Sequence, residues 1–241
     1  MALALAAGAA APVKSPSVPK ISSAIQTAVA TPSRPQAQRD RDPNRKPAET
    51  LALLGMKPGD KVIEISSFGQ YYTDIVSALV GPKGHVWMYD LPYTEARFGE
   101  ATRKWVAEHK NTEFKELKFD EYEGYPKGVD SVLVVLYYHD MSLNKVSEAA
   151  FNKKMFDALR PGGKMLVVDH KAADGSGRRD SPALHRMETK LIVDEVTAAG
   201  FKLVADSDIL ANPQDDKTKR VFEPGLRGHT DQSVFVFQKP R

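Results

Sequence analysis

Two His–Asp pairs and a third histidine beside an arginine carry most of the chemistry this chain of 241 residues can offer. His139-Asp140 follows a nearly unbroken apolar run, Val129 to Tyr138, and Asp169-His170 closes another, Lys164 to Asp169. A histidine next to a carboxylate suits general-base work, because the acid orients the imidazole and stabilises its charged form. The same position also suits a structural histidine satisfied by a neighbouring carbonyl, and location alone does not separate the two. His185-Arg186 is the third such place. Histidines with carboxylates satisfy metals too, but no tight spacing such as His-x-x-x-His occurs, so a metal stays a minor alternative and no ligand set is assigned. Arg178 and Arg179 lie in a polar loop with Gly175 and Gly177, where guanidinium forks suit a substrate carboxylate or phosphate. A solvated basic loop has the same composition.

These residues need a scaffold, and the stretch Lys61 to Leu91 supplies its pattern. Lys61–Ser66 is rich in Val and Ile and reads as a buried strand. Residues 72, 75, 76, 79 and 80 form one apolar helical face, Gly81-Pro82-Lys83-Gly84 is turn punctuation, and His85–Asp90 is a second strand. A strand–helix–strand unit that ends on an acid is the nucleotide-binding half of a doubly wound sheet, in which the acid accepts hydrogen bonds from ribose hydroxyls. Upstream, Pro47 opens a helix stopped by Gly55. Downstream, Tyr93–His109 is helical, Thr112–Leu117 is a third strand with Asp120 beyond it, and Val129–Tyr138 is apolar enough for a central parallel strand. Asn144–Leu159 is helical and Lys164–Asp169 a fifth strand. Ser181 and Pro182 cap a helix running to Ala199. Phe201–Leu210 and Ser233–Gln238 complete an α/β sheet whose last strand is antiparallel.

With KVIEI as first strand, Asp90 ending the second, Asp120 after the third, VDSVLVVLYYHD as fourth and the turn LRPGGKMLVVDH into the fifth, residues 47–241 resemble a class I S-adenosylmethionine-dependent methyltransferase. Details such as RDPNRKPAETLALLGMKPGDKV, DHKAADGSGRRDSPALHR and VFEPGLRGHTDQSVFVFQKP are similar to a little-characterised bacterial subgroup, often made with an export signal. The resemblance implies a Rossmann-like, doubly wound seven-stranded sheet and methyl transfer from S-adenosylmethionine to a small molecule. It implies that Glu64, Ser66, Phe68, Gly69, Tyr71, Asp90, Leu91, Asp120 and Tyr138 hold the cofactor. His139, Asp140 and His170 would then be catalytic, with Arg178, Arg179 and His185 on the substrate.

The family pattern after the first strand is acid-x-Gly-x-Gly-x-Gly, whereas this chain reads Glu64-Ile65-Ser66-Ser67-Phe68-Gly69-Gln70. Glycines there permit positive φ and close backbone approach, and only Gly69 remains. A non-catalytic or cofactor-independent protein on the same scaffold is therefore the alternative reading.

Composition bounds the rest. Residues 1–38 are dense in Ala, Ser and Pro and read as a disordered or signal-like arm before a domain of residues 39–241. The opening MALALAAGAAAPV resembles the apolar part of an export signal without a preceding basic residue, leaving cytoplasm and periplasm both open. Residues 1–48 hold seven Lys/Arg against two Asp, so the overall charge of +3 leaves −2 on the remainder. That balance, with no aromatics interleaved among the basic residues, argues against nucleic acid, and no apolar run is long enough for a membrane span. The expected partner is a small molecule, with a homodimer also allowed. Absence of cysteine removes thiolate ligands and nucleophiles.

Overall fold

The computed structural model describes residues 19–241. Its seven strands are β1 (Lys61–Ile65), β2 (His85–Asp90), β3 (Thr112–Glu116), β4 (Val129–Val135), β5 (Leu159–His170), β6 (Lys202–Ser207) and β7 (Gln232–Gln238). They form one sheet in the order β3-β2-β1-β4-β5-β7-β6. All pairs through β5 are parallel, and β7 runs antiparallel to both β5 and β6. Sequence order reverses between β1 and β4, so their carboxyl ends open the crevice in which such sheets bind ligands.

Strand alternation sends successive side chains to opposite faces. Ile63, Ile65, Val132 and Val134 enter one apolar core, Val62, Met88 and Leu133 the other. The second core is covered by α1 (Ser23–Val29), α4 (Pro47–Leu54) and α5 (Tyr71–Val80), which supply Ile25, Leu51, Leu54, Ile75 and Val76. Between α1 and α4 lie two single turns, α2 (Gln36–Arg39) and α3 (Asp42–Arg45). After β2, α6 (Glu100–Glu108) follows a 3₁₀ turn and a π-helical turn over residues 92–99, so the helix expected from Tyr93 begins later. The first core is covered by α7 (Glu148–Ala158) and α9 (Thr189–Ala198), through Phe151, Met155, Ile192 and Val196.

Two expectations about elements are corrected. The helix expected over 181–199 is broken: α8 (Ser181–Leu184) ends at His185, whose φ is +56°, and Met187 then bridges to Lys171 before α9 starts. Ser181 is the first helical residue rather than the cap, and its hydroxyl donates to the Arg186 carbonyl. The expected boundary at residue 38/39 also does not hold. Ile25 and Ala28 are buried against the second core, and the Arg34 guanidinium grips the Asp42 carboxylate through two hydrogen bonds of 2.9 and 2.8 Å. The signal-like opening lies outside the described residues. Among those described, no helix is long and apolar enough to cross a membrane.

Candidate active site

Alternation places Glu64, with Val62, on the α5 side of the sheet, under that helix's first turn. The carboxyl group is buried, and burial pushes its pKa up to about 8. One of its oxygens, Oε2, has no hydrogen-bond partner among the described residues. Asp90, at the end of β2, is fully buried, and its Oδ1 accepts the Ser67 amide at 2.6 Å and the Ser67 hydroxyl at 2.9 Å. Burial raises its pKa to about 6, against the pull of those bonds, and Oδ2 lacks a partner. Asp120 Oδ2 accepts the Ser147 amide ahead of α7 at 2.8 Å, while its Oδ1 is buried and unpartnered.

The loop between β1 and α5 keeps the backbone form of a glycine loop without the glycines. Ser66 and Gln70 have φ of +62° and +48°, and Gly69 has +80°. Phe68 does not bend inward; its ring stacks on Phe98 with centroids 5.1 Å apart and stays partly exposed. Below this loop lies a cavity of about 120 Å³ lined by Arg41, Arg45, Glu64, Ser66, Tyr71 and Leu136, among others. Arg41 and Arg45, from the charged run at 39–46, lie over it. The guanidinium carbons of Arg34, Arg41 and Arg45 sit 5.4, 5.1 and 4.6 Å from the Tyr71 ring centre, and Tyr71 donates its hydroxyl to Asp42 at 2.6 Å. These arginines were missed as site residues, because charge and Pro alone do not say which way a strap faces.

At the carboxyl ends of β4 and β5 a polar cluster forms. Asp169 is buried; its Oδ1 lies 2.5 Å from His139 Nδ1, and its Oδ2 accepts the His139 amide at 2.7 Å. His139 Nε2 and His185 Nδ1 lie 3.2 and 2.9 Å from the same atom, Asp140 Oδ1. Burial alone would lower the His139 pKa, but Asp169 and Asp140 outweigh it and lift it to about 10. Each ring nitrogen of His139 thus faces a carboxylate oxygen. Asp140 and His185 are the partly exposed members of the cluster.

Other expected site residues are placed elsewhere. His170 is buried behind His139, its Nδ1 2.7 Å from the Thr230 hydroxyl, and burial pulls its pKa well down. Tyr138 is in the first core, its hydroxyl bonded to Asn152 at 2.7 Å and Glu195 at 3.2 Å. Arg178 bridges Glu148 and Glu195 at 2.9 and 2.5 Å and so ties α7 to α9. Arg179 is exposed and pairs with its neighbour Asp180. Leu91 is buried and its carbonyl accepts the Thr94 hydroxyl.

No family model matches the chain, and no curated protein matches it in sequence. Solved structures do match. A SAM-dependent methyltransferase from Aquifex aeolicus is similar with a TM-score of 0.60 at 16% identity, covering 85% of this chain and 98% of that one. Aeropyrum pernix fibrillarin with natively bound S-adenosyl-L-methionine gives 0.53 at 16% identity, covering 78% and 72%. The [4+2]-cyclase SpnF gives 0.58 at 13% identity, covering 85% and 81%. At such identities the likeness establishes the fold. The sheet order, the antiparallel β7 and these neighbours together define a class I, Rossmann-like methyltransferase fold.

Proposed function

We propose that the protein transfers a methyl group from S-adenosylmethionine to a small molecule held at the Asp140–His185 mouth. One observation carries this reading. Acids within β1, at the end of β2 and beyond β3 each keep one buried oxygen without a hydrogen-bond partner among the described residues: Glu64 Oε2, Asp90 Oδ2 and Asp120 Oδ1. Leaving such a group unpaired costs about 1–3 kcal/mol, and three on the neighbouring strands β1 and β2 and just beyond β3 are accounted for by the donors of a ligand. An ammonium suits Glu64, ribose hydroxyls suit Asp90, and an exocyclic adenine amine suits Asp120. Arg41 and Arg45, lining the same small cavity as Glu64, suit the carboxylate that accompanies the ammonium.

When bound, the cofactor supplies an electrophilic methyl group on a sulfonium. The chain's own task is to hold an acceptor in line with it and to remove the acceptor's proton. Asp140 and His185, the partly exposed members of the cluster, are the groups placed to meet that acceptor.

A second reading, a cofactor-independent or non-catalytic protein on this scaffold, draws on the size of the crevice. About 120 Å³ is available below the loop, whereas ligand pockets usually span roughly 300–1,000 Å³. The first reading requires the loop from Ser66 to Gln70 to open on binding.

Calorimetric titration of the full chain with S-adenosylmethionine and S-adenosylhomocysteine separates them. Micromolar binding, weakened at least about tenfold by Asp90→Asn, supports methyl transfer. No heat and no thermal stabilisation at millimolar cofactor would sink it and leave the second reading standing.

A further inference from the structure

We propose that His139, Asp140 and His185 bind one first-row divalent metal ion at the carboxyl edge of β4. Convergence carries the proposal. One donor atom from each residue lies within 4.8 Å of the others. His139 Nε2 and His185 Nδ1 stand 3.2 and 2.9 Å from Asp140 Oδ1. Donors about 2.1 Å from a shared ion and separated by about 90–110° lie roughly 3.0–3.4 Å apart, so both pairs stand near coordination spacing.

Three further features fit an ion. Asp169 meets His139 Nδ1 at 2.5 Å and accepts the His139 and His170 amides at 2.7 and 2.8 Å, which fixes the ring and leaves Nε2 to coordinate. A carboxylate behind a histidine is how metal-binding imidazoles are usually oriented. His185 meets Asp140 from the end of α8, where it holds a left-handed backbone with φ of +56° that side-chain-bearing residues rarely adopt. An ion bound at His139 Nε2 takes the place of the proton held there against Asp140 Oδ1.

Two nitrogens and one oxygen suit zinc, cobalt or iron(II), and not calcium or magnesium, which favour all-oxygen sites. Three protein donors leave positions for water or a substrate oxygen. His170 is not in the converging set among the described residues. Arg220 approaches His185 from the opposite nitrogen, Nε2, at 3.5 Å. Ion binding itself does not depend on the methyl-transfer reading. Its use there does: an ion holding an acceptor oxygen would lower that oxygen's pKa.

The test is titration of the chelator-treated full chain, without cofactor, by Co²⁺ followed in the visible spectrum and by Zn²⁺ in the calorimeter. One equivalent bound at micromolar affinity or tighter is expected. His185→Asn should weaken binding at least tenfold, Asp169→Asn by about 10–100-fold, and His109→Asn, on a remote helix end, not at all. Electron spin-echo modulation of the Cu²⁺ form gives a readout that needs no variant, and two coordinated imidazoles are expected. No binding by the unaltered chain, affinity unchanged by His185→Asn, or fewer than two imidazoles would overturn the proposal. Because the cofactor is left out, failure here is distinct from failure of the methyl-transfer reading.

Discussion

Glu64 shows how one buried residue links stability to ligand binding. Its pKa stands near 8 in the folded protein against an ordinary 4.5, because burial penalises the charge. The folded chain thus holds a proton that the unfolded chain releases, and stability falls as pH rises from about 4.5 to 8, then levels off. Glu64→Gln should remove that slope and leave the protein on the order of 2–4 kcal/mol more stable at pH 9. Urea unfolding at pH 5 and pH 9 checks it; a shallower slope below pH 6 should remain from Asp90, whose pKa is near 6. The same carboxyl predicts the pH dependence of the cofactor. An ammonium favours the carboxylate, so binding at pH 7 should release about one proton, and affinity should rise about tenfold per unit between pH 6 and 8. Titrations in buffers of different ionisation enthalpy measure this directly, and zero proton release would detach Glu64 from the ligand. The acids at the ends of β1 and β2 were legible in the sequence, because strand alternation and strand ends fix where they stand. The role of Asp169 was not, since it depends on which neighbouring strand's loop folds back over it.

Among the elements, the loop from Ser66 to Gln70 holds a glycine-type backbone with residues that resist it. Ser66 has φ of +62°, and its side chain makes no hydrogen bond with the described residues that would repay the strain. Ser66→Gly should therefore stabilise the protein by about 1 kcal/mol, which thermal or urea unfolding would show. Gln70→Gly should gain less, because the Gln70 amide donates to Thr102 at 2.9 Å and that bond would go. Phe68→Ala removes the ring stacked on Phe98. It should tighten cofactor binding several-fold if loop opening limits entry, with little change in stability because the ring is partly exposed; weaker binding would mean that Phe68 is itself a wall of the site. The seven strands were readable from apolar runs and turns, since burial on both faces leaves a strong pattern. The break at His185 was not. Pro182 and the apolar spacing that follows favour a continuous helix, and only the long-range bridge from Lys171 to Met187 shows why the chain leaves it.

Across the whole molecule, two ion pairs built on buried arginines fasten segments that composition alone would leave loose. Arg186 bonds Asp215 at 2.8 and 3.0 Å, with both side chains buried, and pins the long loop before β7. Arg34 does the same for the N-terminal segment by gripping Asp42, which also accepts the Tyr71 hydroxyl. A segment rich in Ala, Ser and Pro looks unable to repay its ordering entropy, yet residues 19–38 are held by a few anchors: Ile25 and Ala28 in the core, Gln38 bonded to Asp74 at 2.5 Å, and Arg34. Composition averages over such anchors, which explains why the segment read as an arm. Because Arg41 and Arg45 roof the Glu64 cavity, the strap joins distant stability to the site. Arg34→Ala leaves Asp42 without its main partner and should cost about 3 kcal/mol, the low end for a broken buried pair because Asp42 is partly exposed. Limited proteolysis should then cut within residues 30–41 well before the remaining domain. Cofactor affinity should fall in the same variant, since the two roof arginines lose their support. If the strap is cut faster while affinity is unchanged, Arg41 and Arg45 shield the crevice without binding the ligand's carboxylate.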